Sequence, residues 1–102
     1  MRLSLEEVRS ILFTAEQIFG QDCSIWLFGS RVDDSKRGGD IDLLILCRSE
    51  IEVKMMMRKD TQFRVLLKSM IGEQKIDTVY ATDEGLNKDP FLMTLTQKIR
   101  LV

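Results

Sequence analysis

Histidine is absent from the sequence, so no catalytic or metal-binding site of this chain uses an imidazole. Zinc centres with histidine ligands, Ser-His-Asp triads and histidine acid–base catalysis are therefore not expected. No apolar run approaches the ~18–20 residues that cross a membrane as a helix. Positive charge is not in excess either, because 15 basic residues face 16 acidic ones and the net charge is −1. No global basic field draws nucleic acid, so any contact with phosphate groups must be local.

Cysteine is scarce, with two residues in the chain. Cys23 and Cys47 both lie among apolar, strand-like residues. A single disulfide is one interpretation, and reduced, packed thiols in a cytosolic protein are the favoured one. The N-terminal stretch MRLSLEEVRSIL carries acids early and lacks a secretory core. We therefore expect no signal peptide and a cytoplasmic location.

The composition is an ordinary globular balance of 44% apolar and 30% charged residues, which argues against disorder. The length of 102 residues is close to the commonest size of a domain. No repeat, linker or low-complexity segment divides the chain. We predict one domain, residues 1–102.

The first half of the chain predicts one helix and two strands. Ser4-Leu5-Glu6-Glu7 has the form of a capping box, and Gly20 ends the helical pattern that follows. The apolar positions of this pattern are Val8, Ile11, Leu12, Ala15, Ile18 and Phe19. Residues 24–28 (SIWLF) and 41–47 (IDLLILC) are short and apolar, which predicts two buried strands.

The second half predicts a long helix, a strand and a final helix. The long helix extends from about Glu50 to Ile71, with Val53, Met56, Phe63, Leu66, Leu67 and Met70 facing inward. Residues 75–81 (KIDTVYA) alternate as a strand does, and TDEGLNKD is typical of a turn. The final helix starts at Asp89-Pro90 and buries Phe91, Leu92, Leu95 and Ile99. Met55, Met56 and Met57 cannot all face one core, so at least one is expected to be exposed or at an interface.

The predicted element order is α-β-β-α-β-α. It favours an α/β (α+β) fold in which helices pack on a small mixed sheet.

The clearest functional pattern lies in residues 28–45, FGSRVDDSKRGGDIDLLI. Side chains at i and i+2 of a strand share a face, so Asp40 and Asp42 project together at the start of the second strand. Two ionised carboxylates held this close repel each other, and leaving them unpaired beside an apolar strand is costly. A divalent cation removes both difficulties. Mg²⁺ favours one or two carboxylates completed by water and phosphate oxygens.

A third acid, Asp77, lies in the later strand with apolar neighbours. If the two strands are adjacent, Asp40, Asp42 and Asp77 converge. Three converging carboxylates suit a pair of metal ions ~3.5–4 Å apart that bracket a phosphoryl group.

The loop before these acids offers groups that bind phosphate. Gly29 allows a close backbone approach and exposes N–H groups, and Ser30 adds a hydroxyl donor. Arg31, Lys36 and Arg37 supply positive charge. Together with the acids, these groups predict a nucleoside triphosphate site.

The pattern of Gly29-Ser30, nine further residues, Asp40-Ile41-Asp42 and a later strand acid, Asp77, resembles the signature of the polymerase-β-type nucleotidyltransferases. The short chain is similar to their smallest branch, the minimal nucleotidyltransferases, and the element order extends the resemblance over nearly the whole chain. The resemblance implies a nucleotidyltransferase-like fold. It also implies transfer of a nucleotide from a nucleoside triphosphate, with release of pyrophosphate.

By this resemblance Asp40 and Asp42 bind Mg²⁺, with two ions expected. Asp77 completes the metal site beside the attacking hydroxyl and, in the absence of histidine, is the candidate base. By the same resemblance Gly29 and Ser30 hold the β- and γ-phosphates. Arg31, next to Ser30, is a further predicted nucleotide-binding residue because of its positive charge. ATP or another nucleoside triphosphate is the expected substrate.

Minimal members of this family are commonly encoded beside a small helical HEPN protein and act as its antitoxin. The resemblance therefore implies a hetero-oligomeric toxin–antitoxin pair, in which this chain neutralises its HEPN partner by attaching AMP. Neither membrane contact nor direct nucleic-acid binding is expected.

Two other functions stay open. The chain could be a catalytically silent module that covers a partner through an interface of at least ~1,000 Å². It could also transfer nucleotides to a small molecule such as an aminoglycoside, or to an RNA end, although no dedicated acceptor-binding segment is visible.

Simpler interpretations of the same residues also stay open. Asp40 and Asp42 could form a polar strand start, and Asp77 could cap a turn or pair with a lysine. Ser30 could cap a turn, and Lys36 and Arg37 could be solvated loop charges.

Overall fold

The first helix begins and ends where the sequence predicts. The computed structural model describes residues 3–21, 23–29, 40–88 and 98–101. Helix α1 spans Leu5–Phe19, with Ser4 as its N-cap. The Glu7 N–H donates to Ser4 Oγ at 3.0 Å, and the Ser4 N–H donates to Glu7 Oε1 at 2.9 Å. This reciprocal pair is the predicted capping box. Gly20 ends the helix with a φ of 80°, which glycine adopts without the steric penalty of a Cβ.

A mixed sheet forms the centre of the fold. Its four strands are β1 (Ser24–Phe28), β2 (Ile41–Cys47), β3 (Ile76–Thr82) and β4 (Lys98–Arg100), in the spatial order β3-β2-β1-β4. Strand β1 pairs antiparallel with β2 and β4, whereas β2 and β3 are parallel. Strands β1 and β2 have the predicted bounds, and β3 is shifted by one residue. With the helices packed on this sheet, the predicted α/β (α+β) class is confirmed.

The single long helix predicted between β2 and β3 is wrong, because this segment forms two helices. They are α2 (Glu50–Arg58) and α3 (Asp60–Ile71). Lys59 separates them with φ −95° and ψ 1°, a sparsely populated backbone conformation outside the helical region.

A contact with β3 holds the chain at this break. The Asp60 carboxylate accepts hydrogen bonds from Thr78 Oγ1 at 2.6 Å and from Tyr80 Oη at 2.5 Å. It also pairs with Arg64 Nη2 at 2.8 Å. These contacts fix the first turn of α3 to a strand about twenty residues further along the chain. The spacing of apolar residues, on which the single-helix prediction depends, does not reveal such a contact.

The predicted turn TDEGLNKD contains a short helix, α4 (Asp83–Lys88), so the turn prediction is wrong. The physical reason is a side-chain cap, since Thr82 Oγ1 accepts a hydrogen bond from the Gly85 N–H at 2.9 Å.

The final predicted helix is wrong at Ile99, which lies in β4 opposite Leu27 of β1. The antiparallel pairing supplies backbone partners that a local pattern does not reveal. The other predicted residues of that helix, Asp89, Pro90, Phe91, Leu92 and Leu95, lie outside the described residues.

The two faces of the sheet are unequal. One face packs against α1, α2 and α3 and holds the main core, whose strand members are Ile25, Leu27, Ile41, Leu43, Ile45, Cys47 and Ile76. Here the rings of Phe19 and Phe63 lie 4.8 Å apart between centroids. The other face holds a smaller cluster of Phe28, Leu44 and Ala81, on which Leu86 of α4 packs. Asp42 is two residues before Leu44, so it lies on the face of the smaller cluster.

Most of the predicted inward positions are buried or half-buried, and Met70 is the clear exception at 45% exposed. It lies in the last turn of α3, where its sulfur accepts a hydrogen bond from Thr14 Oγ1 at 3.5 Å. Of the three consecutive methionines, Met56 is buried and Met55 and Met57 are exposed, as expected.

Cys23 and Cys47 are not joined by a disulfide, which agrees with the favoured interpretation. Within the described part of the chain, no helix is both long and apolar enough to cross a membrane.

The main core predicts a sharp contrast between two leucines. Leu67 is 0% exposed and Leu5 is 65% exposed. We expect Leu67→Ala to lower the free energy of unfolding by about 2–5 kcal/mol, because it opens a cavity among packed side chains. The matched change Leu5→Ala should stay within about 0.5 kcal/mol. Urea titration followed by circular dichroism measures both, and equal losses would contradict the described core.

Candidate functional site

The parallel register between β2 and β3 brings the predicted acids to one edge of the sheet. Asp42 lies directly beside Asp77, and Ile41 beside Ile76. The Ile41 N–H donates to the Lys75 carbonyl oxygen at 3.0 Å, so the same alignment places Asp40 next to Lys75. The sequence D-I-D on β2 therefore runs alongside K-I-D on β3. The adjacency that the sequence left conditional is present.

Lys75 is a member of this cluster that the sequence analysis missed. Its Nζ lies 3.5 Å from Asp40 Oδ2, and the lysine side chain is 70% exposed. A solvated pair of this kind is worth about 0–1 kcal/mol, so its importance is the positive charge among three carboxylates. The signal was present in the sequence. Lys75 and Asp77 are two residues apart on one strand and hence share a face, as Asp40 and Asp42 do.

The electrostatics of the cluster centre on Asp42. Its pKa is raised from the usual 3.8 to about 6, first by burial and then by the charges of Asp77 and Asp40, with a hydrogen bond to Asp77 adding to the rise. Lys75 acts in the opposite direction and lowers the pKa. Among the described residues, one lysine therefore faces three carboxylates around Asp42, and this described part of the site carries net negative charge.

Gly29 makes room for the Asp42 carboxylate. It follows β1 directly, and β1 ends with Phe28 opposite Asp42. Gly29 has a φ of 77°, a conformation that favours glycine. A Cβ at this position would overlap Asp42 Oδ2 and lie 3.0 Å from Asp42 Cγ. This glycine, whose predicted approach to phosphate stays a prediction, has a steric role beside the Asp42 carboxylate.

The other half of the predicted phosphate site is not described. Ser30, Arg31, Lys36 and Arg37 all lie outside the described residues, so their predicted roles stay predictions.

The described acids fit Mg²⁺ as an open ligand set. Carboxylate oxygens are the hard donors that Mg²⁺ prefers. Burial and the neighbouring charges that raise the pKa of Asp42 disfavour its ionised form, which a bound cation would stabilise. Among the residues described, no three His, Cys, Asp or Glu side chains form a group that could hold a metal ion by themselves. Mg²⁺ usually takes one or two carboxylates and completes its shell with water and phosphate oxygens. A bound ion would thus share its coordination with a substrate.

The comparisons with known proteins add a likeness in fold. No protein-family model matches the chain, and no curated protein matches it significantly. Among solved structures, the chain is similar to a proposed nucleotidyltransferase from Sulfolobus solfataricus, with 17% sequence identity and a TM-score of 0.46. The similarity covers 98% of this chain and 89% of that chain. A likeness at this level assigns no activity.

The close approach of Gly29 to Asp42 predicts a specific effect of adding a methyl group. Gly29→Ala combines backbone strain with a clash against the carboxylate, whereas Gly20→Ala has a similar φ of 80° and nothing within 4 Å of the added Cβ. We expect Gly29→Ala to lower the free energy of unfolding by about 1–3 kcal/mol more than Gly20→Ala does. Urea titration of both variants measures the difference.

A double variant shows whether Asp42 causes that difference. Placing Gly29→Ala on an Asp42→Ala background removes the carboxylate that the methyl group meets. The extra loss should then shrink towards the value for Gly20→Ala. An undiminished loss would assign the clash to another group.

The raised pKa of Asp42 predicts how stability changes with pH. The folded protein holds the Asp42 proton more tightly than the unfolded chain, because the pKa rises from 3.8 to about 6 on folding. The free energy of unfolding therefore falls as the pH rises through this window, and it stays reduced above it. Asp42→Asn has no such proton. We expect its stability advantage over the wild type to grow between pH 4 and 6 and then to level off.

Urea titrations at several pH values, with EDTA present to exclude metal ions, measure this advantage. Asp83→Asn is the matched control, because Asp83 is an exposed acid on α4. A constant difference between Asp42→Asn and the wild type across this pH range would contradict the proposed crowding of charge.

Proposed function

We propose that this chain is an Mg²⁺-dependent nucleotidyltransferase that transfers a nucleoside monophosphate, AMP from ATP in the leading case, to a partner protein. The observation that supports this most directly is that Asp40-Ile41-Asp42, at the start of β2, lies alongside Lys75-Ile76-Asp77, at the start of β3. This pairing gathers three carboxylates at one edge of the sheet. Their mutual repulsion at Asp42 is best relieved by a divalent cation, and such a cation recruits phosphate oxygens.

In this proposal Asp40, Asp42 and Asp77 supply the metal ligands, with one or two of these carboxylates on an ion at a time and with water and phosphate oxygens completing its shell. When bound, Mg²⁺ supplies positive charge against the triphosphate and the departing pyrophosphate. Asp42 must be ionised to serve as a ligand, and its pKa of about 6 leaves it mostly ionised at neutral pH. Gly29 keeps the space that this carboxylate needs. Gly29, Ser30 and Arg31 are the proposed phosphate contacts.

Asp77 is the proposed base. It is exposed and lies beside Asp42 in the register, so an acceptor hydroxyl arriving from solvent can reach it. A carboxylate in that position accepts the hydroxyl proton as the oxygen attacks the α-phosphorus. The acceptor would then be a group on another molecule.

A protein acceptor is favoured by the exposed apolar side chains of α2. Ile51 is 73% exposed, and Met55, one turn further along the helix, is exposed as well. Methionine is common at adaptable binding surfaces. The family resemblance proposes a HEPN toxin as the partner and an antitoxin role for this chain.

Labelled nucleotides test the transfer. Purified chain, MgCl₂ and α-labelled ATP, GTP, CTP or UTP are incubated with and without the protein encoded beside it. We expect label on the partner with one nucleotide, and a loss of about 100-fold in Asp42→Asn because the charge that holds the metal is removed. Asp83→Asn, an exposed acid elsewhere on the surface, should retain activity.

The same samples distinguish the alternative, a catalytically silent module that neutralises its partner by covering it. The exposed α2 side chains favour this function as a second candidate. It predicts no label with any nucleotide, equal complex formation by the wild type and Asp42→Asn, and loss of the complex in Ile51→Glu. Transfer that persists in Asp42→Asn would contradict the proposed site itself.

A further inference from the structure

The two cysteines form a cross-strand pair that the proposed function does not use. Cys23 precedes β1 and Cys47 ends β2, and the antiparallel register that pairs Ser24 with Leu46 places the two cysteines opposite each other. Their Sγ atoms are 3.7 Å apart. Both residues belong to the main core, with Cys23 at 8% and Cys47 at 4% exposure. The two thiols are therefore in direct contact inside the core and are close enough to react with each other.

Three surface clefts are lined by one or both cysteines of this pair. Cys23 and Cys47 both line a cleft of about 310 Å³ together with Arg48, Asp83 and Arg100. Cys23 also lines a second cleft of about 390 Å³ beside α1, and Cys47 lines a third of about 460 Å³ beside the start of α2. A water-sized oxidant can therefore approach Cys23 through either of the two clefts that it lines, while bulk solvent is largely kept away from both sulfurs.

We propose that Cys23 and Cys47 are a redox modification site, at which hydrogen peroxide converts the two thiols into a reversible intramolecular disulfide. The inference goes beyond the proposed nucleotide transfer and does not depend on it. The pair lies on the core face of β2, whereas Asp42 lies on the other face.

The reaction balances in two steps. The sulfur of Cys23 attacks one peroxide oxygen, the O–O bond breaks, and Cys23 becomes a sulfenic acid as one water leaves. The sulfur of Cys47 then attacks the Cys23 sulfur, the S–O bond breaks, and the hydroxide leaves as a second water with the Cys47 proton. Two thiols lose two electrons in total, and one peroxide is reduced to two waters.

The contacts of the two thiols set this order. Cys47 S–H faces the Ile45 carbonyl oxygen at 3.8 Å, and its sulfur accepts from Cys23 S–H. Hydrogen bonding to Cys23 and burial raise the pKa of Cys47, so its thiol stays protonated at neutral pH. A protonated thiol is a poor first nucleophile, and Cys47 is also the less exposed of the two cysteines, at 4% against 8% for Cys23. Cys23 reacts first and Cys47 resolves the product.

The sulfurs need to approach from 3.7 Å to about 2.0 Å to form the bond. Thiol–disulfide exchange with a reducing thiol then breaks the disulfide and restores both cysteines.

Intact mass spectrometry of the full chain tests the proposal. The reduced protein is treated with graded hydrogen peroxide, the remaining thiols are blocked with N-ethylmaleimide, and the mass is measured. We expect a monomer that has lost two hydrogens, takes up no maleimide, yields a peptide linking Cys23 to Cys47, and is restored by dithiothreitol. Its Tm should rise on the order of 10 °C, because the cross-link restricts the unfolded chain.

Single variants assign the roles of the two sulfurs. In Cys47→Ser, Cys23 should accumulate as a sulfenic acid that dimedone traps, and in Cys23→Ser, Cys47 should remain a thiol at the same peroxide dose. Peroxide-treated wild type that forms only intermolecular dimers, or sulfinic acids without the linked peptide, would overturn the proposal. The mass measurement on the wild-type protein tests the proposal by itself, even if Cys23→Ser or Cys47→Ser fails to fold.

Discussion

The register between β2 and β3 is the constraint on which the rest of the site depends. Ile41, Leu43 and Ile45 alternate along β2 into the main core, and all three are fully buried. A slip of one residue would turn these side chains towards the opposite face and expose them. Their burial therefore fixes the register, and the register places Asp42 beside Asp77 and Asp40 beside Lys75. Hydrophobic packing on one face decides which charges meet on the other.

In the absence of a cation, the ionised carboxylates of the acidic cluster destabilise the folded protein. The surrounding structure nevertheless holds these carboxylates in place. Asp42 is half-buried beside Phe28, and the charges of Asp77 and Asp40 oppose its ionisation. Gly29 keeps a positive φ and leaves space where a Cβ would meet the carboxylate. Functional sites often break local rules in this way while the scaffold supplies the compensating packing. The excess of negative charge among the described residues of this cluster is the feature on which the proposed metal site rests.

The chemistry of the molecule is divided between the two ends of β2. The acids lie at its start, and Cys47 lies at its end, about 16 Å away at the usual rise per strand residue. They also lie on opposite faces of the sheet, with Asp42 beside the smaller cluster and Cys47 in the main core. The antiparallel β1–β2 ladder connects the two ends, with Cys23 before one end of β1 and Gly29 after the other. A cross-link at the cysteines would tighten the ladder whose far end carries Gly29 and Asp42.

The sequence by itself determined the elements whose signals are local. The capping box at Ser4, the bounds of β1 and β2, and the shared face of Asp40 and Asp42 all follow from patterns within a few residues. Only the tertiary structure decided the break at Lys59, the strand at Ile99, the pairing of Asp40 with Lys75 and the crowding that raises the pKa of Asp42. Each of these depends on a contact between residues distant in the chain, and neither periodicity nor spacing records which distant partners meet. Local patterns fix the faces and ends of an element, whereas packing between elements fixes its neighbours.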